Sequence, residues 1–234
     1  MSFSVIGLGH CTLDILGAID LYPPVDQKVA IRNYSLQGGG PVATAMVTLA
    51  RLGIKTAFIG IVAEDLFGQL IKKGLEKEGI NLDRLRVVKE GESPFSFIAV
   101  EAERGYRNIF WTRGSLPPLE LGEEDKGLIQ AANFLHLDGI QVEPSLLAAA
   151  WARESRCRVV LDAGSVREGM KELVERSHIV IASRIFARDL TAEETTNRAA
   201  SSLKSLGPEI VVITLGEEGC YCLGTEQKIH RSTT

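Results

Sequence analysis

Short apolar runs closed by glycine alternate along this chain with stretches whose apolar residues recur at helical spacing, and that rhythm constrains the fold more than any other feature. Val5-Ile6-Gly7-Leu8-Gly9 reads as a buried strand. Pro41 to Leu52 then places Val42, Ala45, Met46, Leu49, Ala50 and Leu52 at helical spacing, with Pro41 in the tolerated first turn and Gly53 as a stop. Thr56 to Val62 is the next strand. Leu66 to Glu78 is the next helix, apolar through Leu66, Leu70, Ile71 and Leu75 and ended by Gly79.

The second half keeps the order, with strands at 134–137, 158–161, 178–182 and 210–214 and helices over 145–154 and 168–175. A helix from Ala192 to Leu206 is expected between the last two strands, started by Thr191 with Glu194 as a capping box and stopped by Gly207-Pro208. This order predicts an α/β fold: a doubly wound, mostly parallel sheet with helices on both faces, forming a single unit over residues 1–234. Two stretches break the rhythm. About 28–36 and 84–111, apolar and polar residues alternate without intervening helices, as in Val29/Ile31, Leu85/Val87 and Phe95/Phe97/Ala99. That period suits antiparallel strands wet on one face, either a small β-sheet lid inserted in the main unit or an extension of the sheet edge.

Composition narrows the function classes. The 26 Lys and Arg stand against 30 Asp and Glu, a net charge of −4, so no basic surplus exists to neutralise a nucleic-acid backbone. No apolar run approaches the roughly 20 residues of a membrane span, and the first residues lack the basic flank of a secretory signal, so a cytoplasmic protein is expected. Cys11, Cys157, Cys220 and Cys222 are scattered and read as structural thiols.

The motifs exclude several chemistries. Gly7-Leu8-Gly9 has Thr12 where a dinucleotide fingerprint needs glycine, and Pro23-Pro24 opposes the helix that would follow, so a Rossmann-type oxidoreductase is a weak alternative. Neither a P-loop nor a zinc signature occurs. Gly38-Gly39-Gly40-Pro41 immediately precedes a helix, where bare backbone and free N–H groups can approach a ligand or simply form a flexible turn.

Taken together and in order, these segments resemble the ribokinase-like (PfkB) carbohydrate kinases. Gly7 to Ile15 resembles the family's opening strand and the Asp, here Asp14, that binds sugar hydroxyls. Gly38 to Ala45, Ala50-Arg51-Leu52-Gly53 and Gly60 to Gly68 resemble the first family signature, and Val212 to Gly219 resembles the strand and turn lining the nucleotide site. The resemblance implies ATP-dependent phosphorylation of a sugar hydroxyl, with ATP and Mg2+ as cofactors and a small-molecule sugar as partner; nucleic acid and membrane are already excluded by composition. The resemblance assigns Asp14, Gly38, Gly39 and Gly40 to the sugar and Thr214, Gly216 and Gly219 to the nucleotide. From the residues themselves, Phe95, Phe97, Ile109, Phe110 and Trp111 carry more apolar surface than a thin sheet buries on itself, so the β-lid is expected to pack against a second copy in a homodimer or to fold back over the substrate.

Several positions depart from that pattern. Ala43 stands where the family carries a sugar-binding Asn, and Ser183 and Phe186 stand where its N-x-x-E sits near metal and phosphates. The glycine-rich anion hole ending in the catalytic Asp is expected beyond Thr234, so the reading assigns no catalytic residue within the chain and expects little activity from it alone. A non-catalytic sugar- or nucleotide-binding relative is the alternative. From the residues themselves, Asp14 reads as a sugar acceptor or a loop cap, and Arg107 as a clamp for an anionic sugar or phosphate or a solvated sheet residue. Asp162 and Arg167, at a strand end and the next helix start, read as a site border or an ordinary ion pair. The histidines receive no catalytic role.

Overall fold

The computed structural model describes residues 3–224 and 228–231. The chain begins with β1 (Val5–Leu8), β2 (Thr12–Ile19), β3 (Asn33–Gly39), α1 (Pro41–Arg51), β4 (Thr56–Ala63), α2 (Leu66–Lys77), β5 (Leu85–Val88), β6 (Phe95–Glu101) and β7 (Arg107–Thr112). It continues with α3 (Glu123–Gln130), β8 (Phe134–Leu137), α4 (Val142–Arg153), β9 (Arg158–Ala163), α5 (Met170–Arg176) and β10 (Ile179–Ser183). Then follow α6 (Arg184–Thr191), α7 (Thr196–Ser205), β11 (Ile210–Thr214), β12 (Cys220–Leu223) and β13 (Lys228–Arg231).

Nine of these strands form the main sheet in the order β13-β12-β11-β10-β9-β8-β1-β4-β5, parallel from β11 to β5 and antiparallel at β12 and β13. Helices cover both faces, as the βα rhythm predicts. The period-2 geometry of β1 sends Ile6 and Leu8 into a core shared with α3 to α7, while Val5 joins Val42, Met46, Ile71 and Leu75 of α1 and α2 on the other face. Along β9 and β10 the first face is fully buried and the second only half-buried, because α1 and α2 lie over β1 and β4.

The other four strands form a separate sheet in the order β3-β2-β6-β7. Its make-up corrects the expected lid in four respects. Thr12 to Ile19 belongs to it, so the chain leaves the main sheet after β1 instead of continuing past Asp14 in the opening strand. Residues 28–32 lie outside any strand, and β3 starts at Asn33. Leu85–Val88 is absent from it and pairs parallel with β4 at the edge of the main sheet. Arg84 and Arg86 decide that placement: both hydrogen-bond the buried carboxylate of Asp125 on α3, Arg84 Nε to Oδ1 at 2.8 Å and Arg86 Nη1 to Oδ1 at 3.0 Å. The β2–β6 pair is parallel, so the lid is mixed and not antiparallel throughout.

The expected helix over 192–206 is also corrected. Ala192 takes a left-handed φ of 57° and ends α6, while α7 starts only at Thr196, capped in position by Thr195. The Thr191 hydroxyl donates back to the Ala187 carbonyl at 2.6 Å inside the preceding helix, so it opens no capping box with Glu194.

Candidate functional site

The chain leaves β1 toward β4 on one side and leaves β8 toward β9 on the other, so the crevice between the carboxyl ends of β1 and β8 is the sheet's topological switch point. Doubly wound sheets bind ligands at such a crevice. One carboxylate bridges it. Asp138, just past β8 and 3% exposed, accepts the His10 N–H at 2.7 Å and the Ile140 N–H at 2.9 Å. Burial pushes its carboxyl up to about 6; the two N–H bonds hold it down, while the charge of Asp162 raises it and that of Arg167 lowers it. The His10 imidazole is held at about 4, by burial first and then by the charges of Arg113 and Arg167, against the pull of Asp14, and is neutral at pH 7.

Above the crevice stands the base of the lid. Register places Gln37, Asp14, Ser96 and Trp111 in one row across β3, β2, β6 and β7. The Ser96 hydroxyl donates to the Asp14 carboxylate in that row. Gly39 lies beside it, where a methyl would push the Asp14 carboxylate aside, and Gly40 turns into α1 with φ 96° hard against the His10 carbonyl. Gly38 is exposed with open space around it. Ala43, on α1, is buried against the second core.

A cavity of about 320 Å³ opens beneath this row, lined in part by His10, Thr12, Ser96, Trp111, Arg113 and Arg167. Trp111 lies 5.5 Å from the Arg113 guanidinium, and Arg167 reaches the Gly139 carbonyl at 3.5 Å. Burial, and then the charge of Arg113, lowers the Arg167 pKa. Asp162 sits on the half-buried face of β9, near enough to Asp138 to raise its carboxyl, and its own pKa is raised by burial.

Of the residues expected at the sugar site, Asp14, Gly39, Gly40 and Arg167 come together here. Arg107 does not. It pairs with Val100 at the far end of β7, five residues beyond Thr112, or about 17 Å at a strand's rise of ~3.3 Å per residue. Arg113, immediately after that strand, occupies the cavity instead. Asp138 and Arg113 escaped the sequence reading, although an Asp directly following a buried strand at a crossover was a usable signal.

Thr214, Gly216 and Gly219 lie together at the carboxyl end of β11, three strand positions from β8, or roughly 14 Å at ~4.8 Å per strand. Both glycines take positive φ around the short turn Gly216–Glu218, and the exposed Thr214 hydroxyl donates to the Ala182 carbonyl at 3.4 Å. Ser183 caps α6, accepting the Phe186 N–H at 3.0 Å while donating to the Gly164 carbonyl at 2.9 Å, and Phe186 is fully buried. These two side chains do not fit a magnesium ion, and no cluster of three metal-ligating side chains occurs among the described residues.

Residues 8–234 match the description "pfkB family carbohydrate kinase". The chain belongs to that family. The pfkB-family chain is 28% identical over 185 residues to an ATP-dependent ribose-1-phosphate kinase of Halopiger xanaduensis, covering 79% of this chain and 61% of that protein. It is 27% identical over 226 residues to a ribokinase of Haemophilus influenzae, covering 92% and 72%. Among solved structures it is similar to a putative ribokinase from Agrobacterium tumefaciens, with TM-score 0.89, 22% identity and coverage of 100% and 78%. It is likewise similar to the Arabidopsis thaliana ribokinase complexed with ribose and ATP, with TM-score 0.82, 22% identity and coverage of 99% and 78%. The fold is therefore ribokinase-like, and the relatives matched are sugar kinases.

Proposed function

We propose that this chain binds a small sugar between the lid base and the β1–β8 crevice, and ATP along the carboxyl ends of β10 and β11, for transfer of the γ-phosphoryl group to a sugar hydroxyl. The observation that carries this reading is the row of Asp14, Ser96 and Trp111, of which Ser96 and Trp111 line a cavity at the switch point while Ser96 holds the Asp14 carboxylate beside it. A carboxylate, a hydroxyl and an aromatic face are the set a sugar needs: charge-assisted bonds from hydroxyls to Asp14, and apolar contact on the ring. Gly38, Gly39 and Gly40 let backbone approach the ligand from the α1 side.

In the transfer, the sugar oxygen forms a bond to the γ-phosphorus as the bond to the bridging oxygen breaks; ADP leaves, and the hydroxyl proton passes to a base. Asp14 orients the attacking sugar. Asp138, which accepts the His10 and Ile140 N–H groups, is assigned to joining the two loops, and no described residue is assigned as the base. Thr214, Gly216 and Gly219 form one wall of the nucleotide site. Mg2+ is assigned to the triphosphate and not to this chain, because Ser183 and Phe186 do not fit it. The absence of an amide and a carboxylate at those positions also favours the second reading, a binding relative without turnover.

The same reading makes residues 1–234 one α/β unit carrying the lid, and a homodimer through it, since Leu36 and Phe110 expose apolar surface on the lid face away from the cavity. It places the protein in the cytoplasm; four unpaired thiols support this, and no helix among the described residues is long and apolar enough to cross a membrane. The test is calorimetric titration with ATP and a panel of sugars, followed by sugar-dependent ADP release. Binding of both ligands is expected, and failure to bind any sugar defeats the reading.

A further inference from the structure

Resting on that sugar-binding reading, we propose that the sugar this site accepts already carries an anionic group, a phosphate ester or an acid, and that Arg113 and Arg167 hold it. The two arginines reach the cavity from different elements, Arg113 from the end of β7 in the lid and Arg167 from the loop between β9 and α5. An anion between them ties the lid to the main sheet across the sugar.

The charge balance of the cavity demands such a ligand. Its lining residues include both arginines, and the one carboxylate of the row above it, Asp14, is held by the Ser96 hydroxyl and forms an ion pair with neither of them. Neither guanidinium has an ion-pair partner within 4.0 Å among the described residues, whereas Arg51, Arg84, Arg86, Arg158, Arg176 and Arg184 each hold a carboxylate. Asp138 is the buried acid whose charge reaches Arg167, yet it forms no ion pair with it and its oxygens already accept the N–H groups of His10 and Ile140. The two positive charges act on each other: Arg113 is among the causes that lower the Arg167 pKa, after burial. Two cations facing one partly desolvated space are unfavourable until an anion enters, and a planar guanidinium is matched to the paired oxygens of phosphate or carboxylate.

The aromatic contact gives Arg113 a fixed direction. Its guanidinium lies over Trp111, a contact that holds the fork in place without neutralising it. His10, neutral at pH 7, adds polar atoms to the same wall but no charge. Thr12, Ser96, Thr112 and Ser165 supply hydroxyls for the uncharged part of the sugar. A neutral sugar satisfies those hydroxyls and leaves both arginines bare.

The test is calorimetry on this chain with fructose, fructose 1-phosphate, fructose 6-phosphate, glucose and gluconate. At least one anionic probe should bind tenfold or more tightly than its neutral parent, and the phosphate and carboxylate arms identify which group the arginines prefer. Arg113→Gln and Arg167→Gln should each weaken the anionic probe far more than its neutral parent and so remove most of that advantage, and Arg113→Lys should keep part of it. Thermal unfolding of each variant separates lost binding from lost folding. Equal or better binding of the neutral parents by the unsubstituted chain overturns this proposal and leaves the sugar-binding reading standing. Failure of every probe overturns both. Variants that weaken ATP binding without changing the anionic-over-neutral ratio also overturn it, since the arginines would then serve the nucleotide.

Discussion

The backbone N–H of His10 donates to the Asp138 carboxylate at 2.7 Å, joining residues 128 positions apart in the chain. That bond spans the crevice where connections leave β1 and β8 in opposite directions, so the two loops that must face the ligand are fixed to each other. A loop pair held by a buried carboxylate keeps its geometry without a ligand, which limits the ordering cost on binding.

The same carboxylate sets a pH dependence. Its folded pKa of about 6 lies above the ordinary 3.8, so the native state holds a proton between those values, and this contribution to stability is lost as pH rises through about 6. At one pKa unit per ~1.4 kcal/mol it amounts to about 3 kcal/mol. His10 and His136, held at about 4 mainly by burial, work the other way: their neutral forms stabilise the fold above pH 6.5, and that stability is lost as pH falls toward 4. Asp138→Asn should therefore steepen the rise of stability between pH 4 and 6.5. Urea midpoints of both proteins across that range check it, and parallel curves would contradict the assigned direction.

At the far edge of the main sheet, Asp125 ties β5 to α3. Burial alone raises its carboxyl, but hydrogen bonds from Arg84 and Arg86 and the Gly122 N–H at 2.8 Å overcome this and hold it at about 2. Its contribution is present above pH 4 and lost as pH falls through about 2. Asp125→Ala leaves two half-buried guanidiniums facing each other, and unfolding free energy at pH 7 should drop by on the order of 3 kcal/mol. Hydrogen exchange should then report early opening of Leu85–Val88, with β1 and β8 still protected.

How far the fold was legible follows from what each signal contains. The parallel strands were visible because burial on both faces forces continuous apolar runs, as in Thr56–Ala63, and the helices between them because α1 and α2 bury one stripe each. Period-2 alternation looks the same in a lid and in a sheet edge, so Leu85–Val88 was indistinguishable from Phe95–Glu101 until the arginine pairs to Asp125 placed it. Thr12–Ile19 falls outside the stretches that alternation marks as lid strands, because departure from one sheet into another leaves no mark on composition. Asp14 and the glycine run were singled out by resemblance, and the structure sets Gly39 against the Asp14 carboxylate. Arg113 was displaced by Arg107 because position along a strand depends on register, which the sequence of β7 does not encode.

The lid's outer face gives a prediction about assembly. Leu36, Ile15, Phe97 and Phe110 form a cross-strand row opposite to the one facing the cavity, with Phe97 and Phe110 rings 6.2 Å apart and Phe110 52% exposed. A four-stranded sheet cannot bury that row on itself, and a second copy offers the matching surface. Sedimentation at micromolar concentration should give a dimer, and Phe110→Asp should shift it to monomer by at least tenfold in dissociation constant. A wild-type monomer at tens of micromolar would end this reading.

Asp14 and Gly39 should behave as one functional unit. The Asp14 carboxylate is held by the Ser96 hydroxyl directly against the bare Cα of Gly39. A methyl at position 39 meets only the end of that side chain, which can swing aside, so Gly39→Ala should cost about 1 kcal/mol or less in stability while moving the carboxylate off its sugar-facing position. Asp14→Ala removes the group outright and should weaken binding of the best sugar probe by about 2–3 kcal/mol, or some 30- to 150-fold, the penalty for leaving sugar hydroxyls without their charged acceptor. Gly39→Ala should reproduce most of that loss, and the double variant should be no worse than Asp14→Ala alone, because both changes act through a single carboxylate. Gly40→Ala is the contrasting case. Its φ of 96° and its contact with the His10 backbone carbonyl leave nothing free to move, so it should lower thermal stability first. Calorimetry and thermal unfolding on the four variants decide the matter: independent, additive losses from Asp14 and Gly39 would mean that the glycine meets the sugar directly, and normal affinity in Asp14→Ala would remove the carboxylate from the binding site.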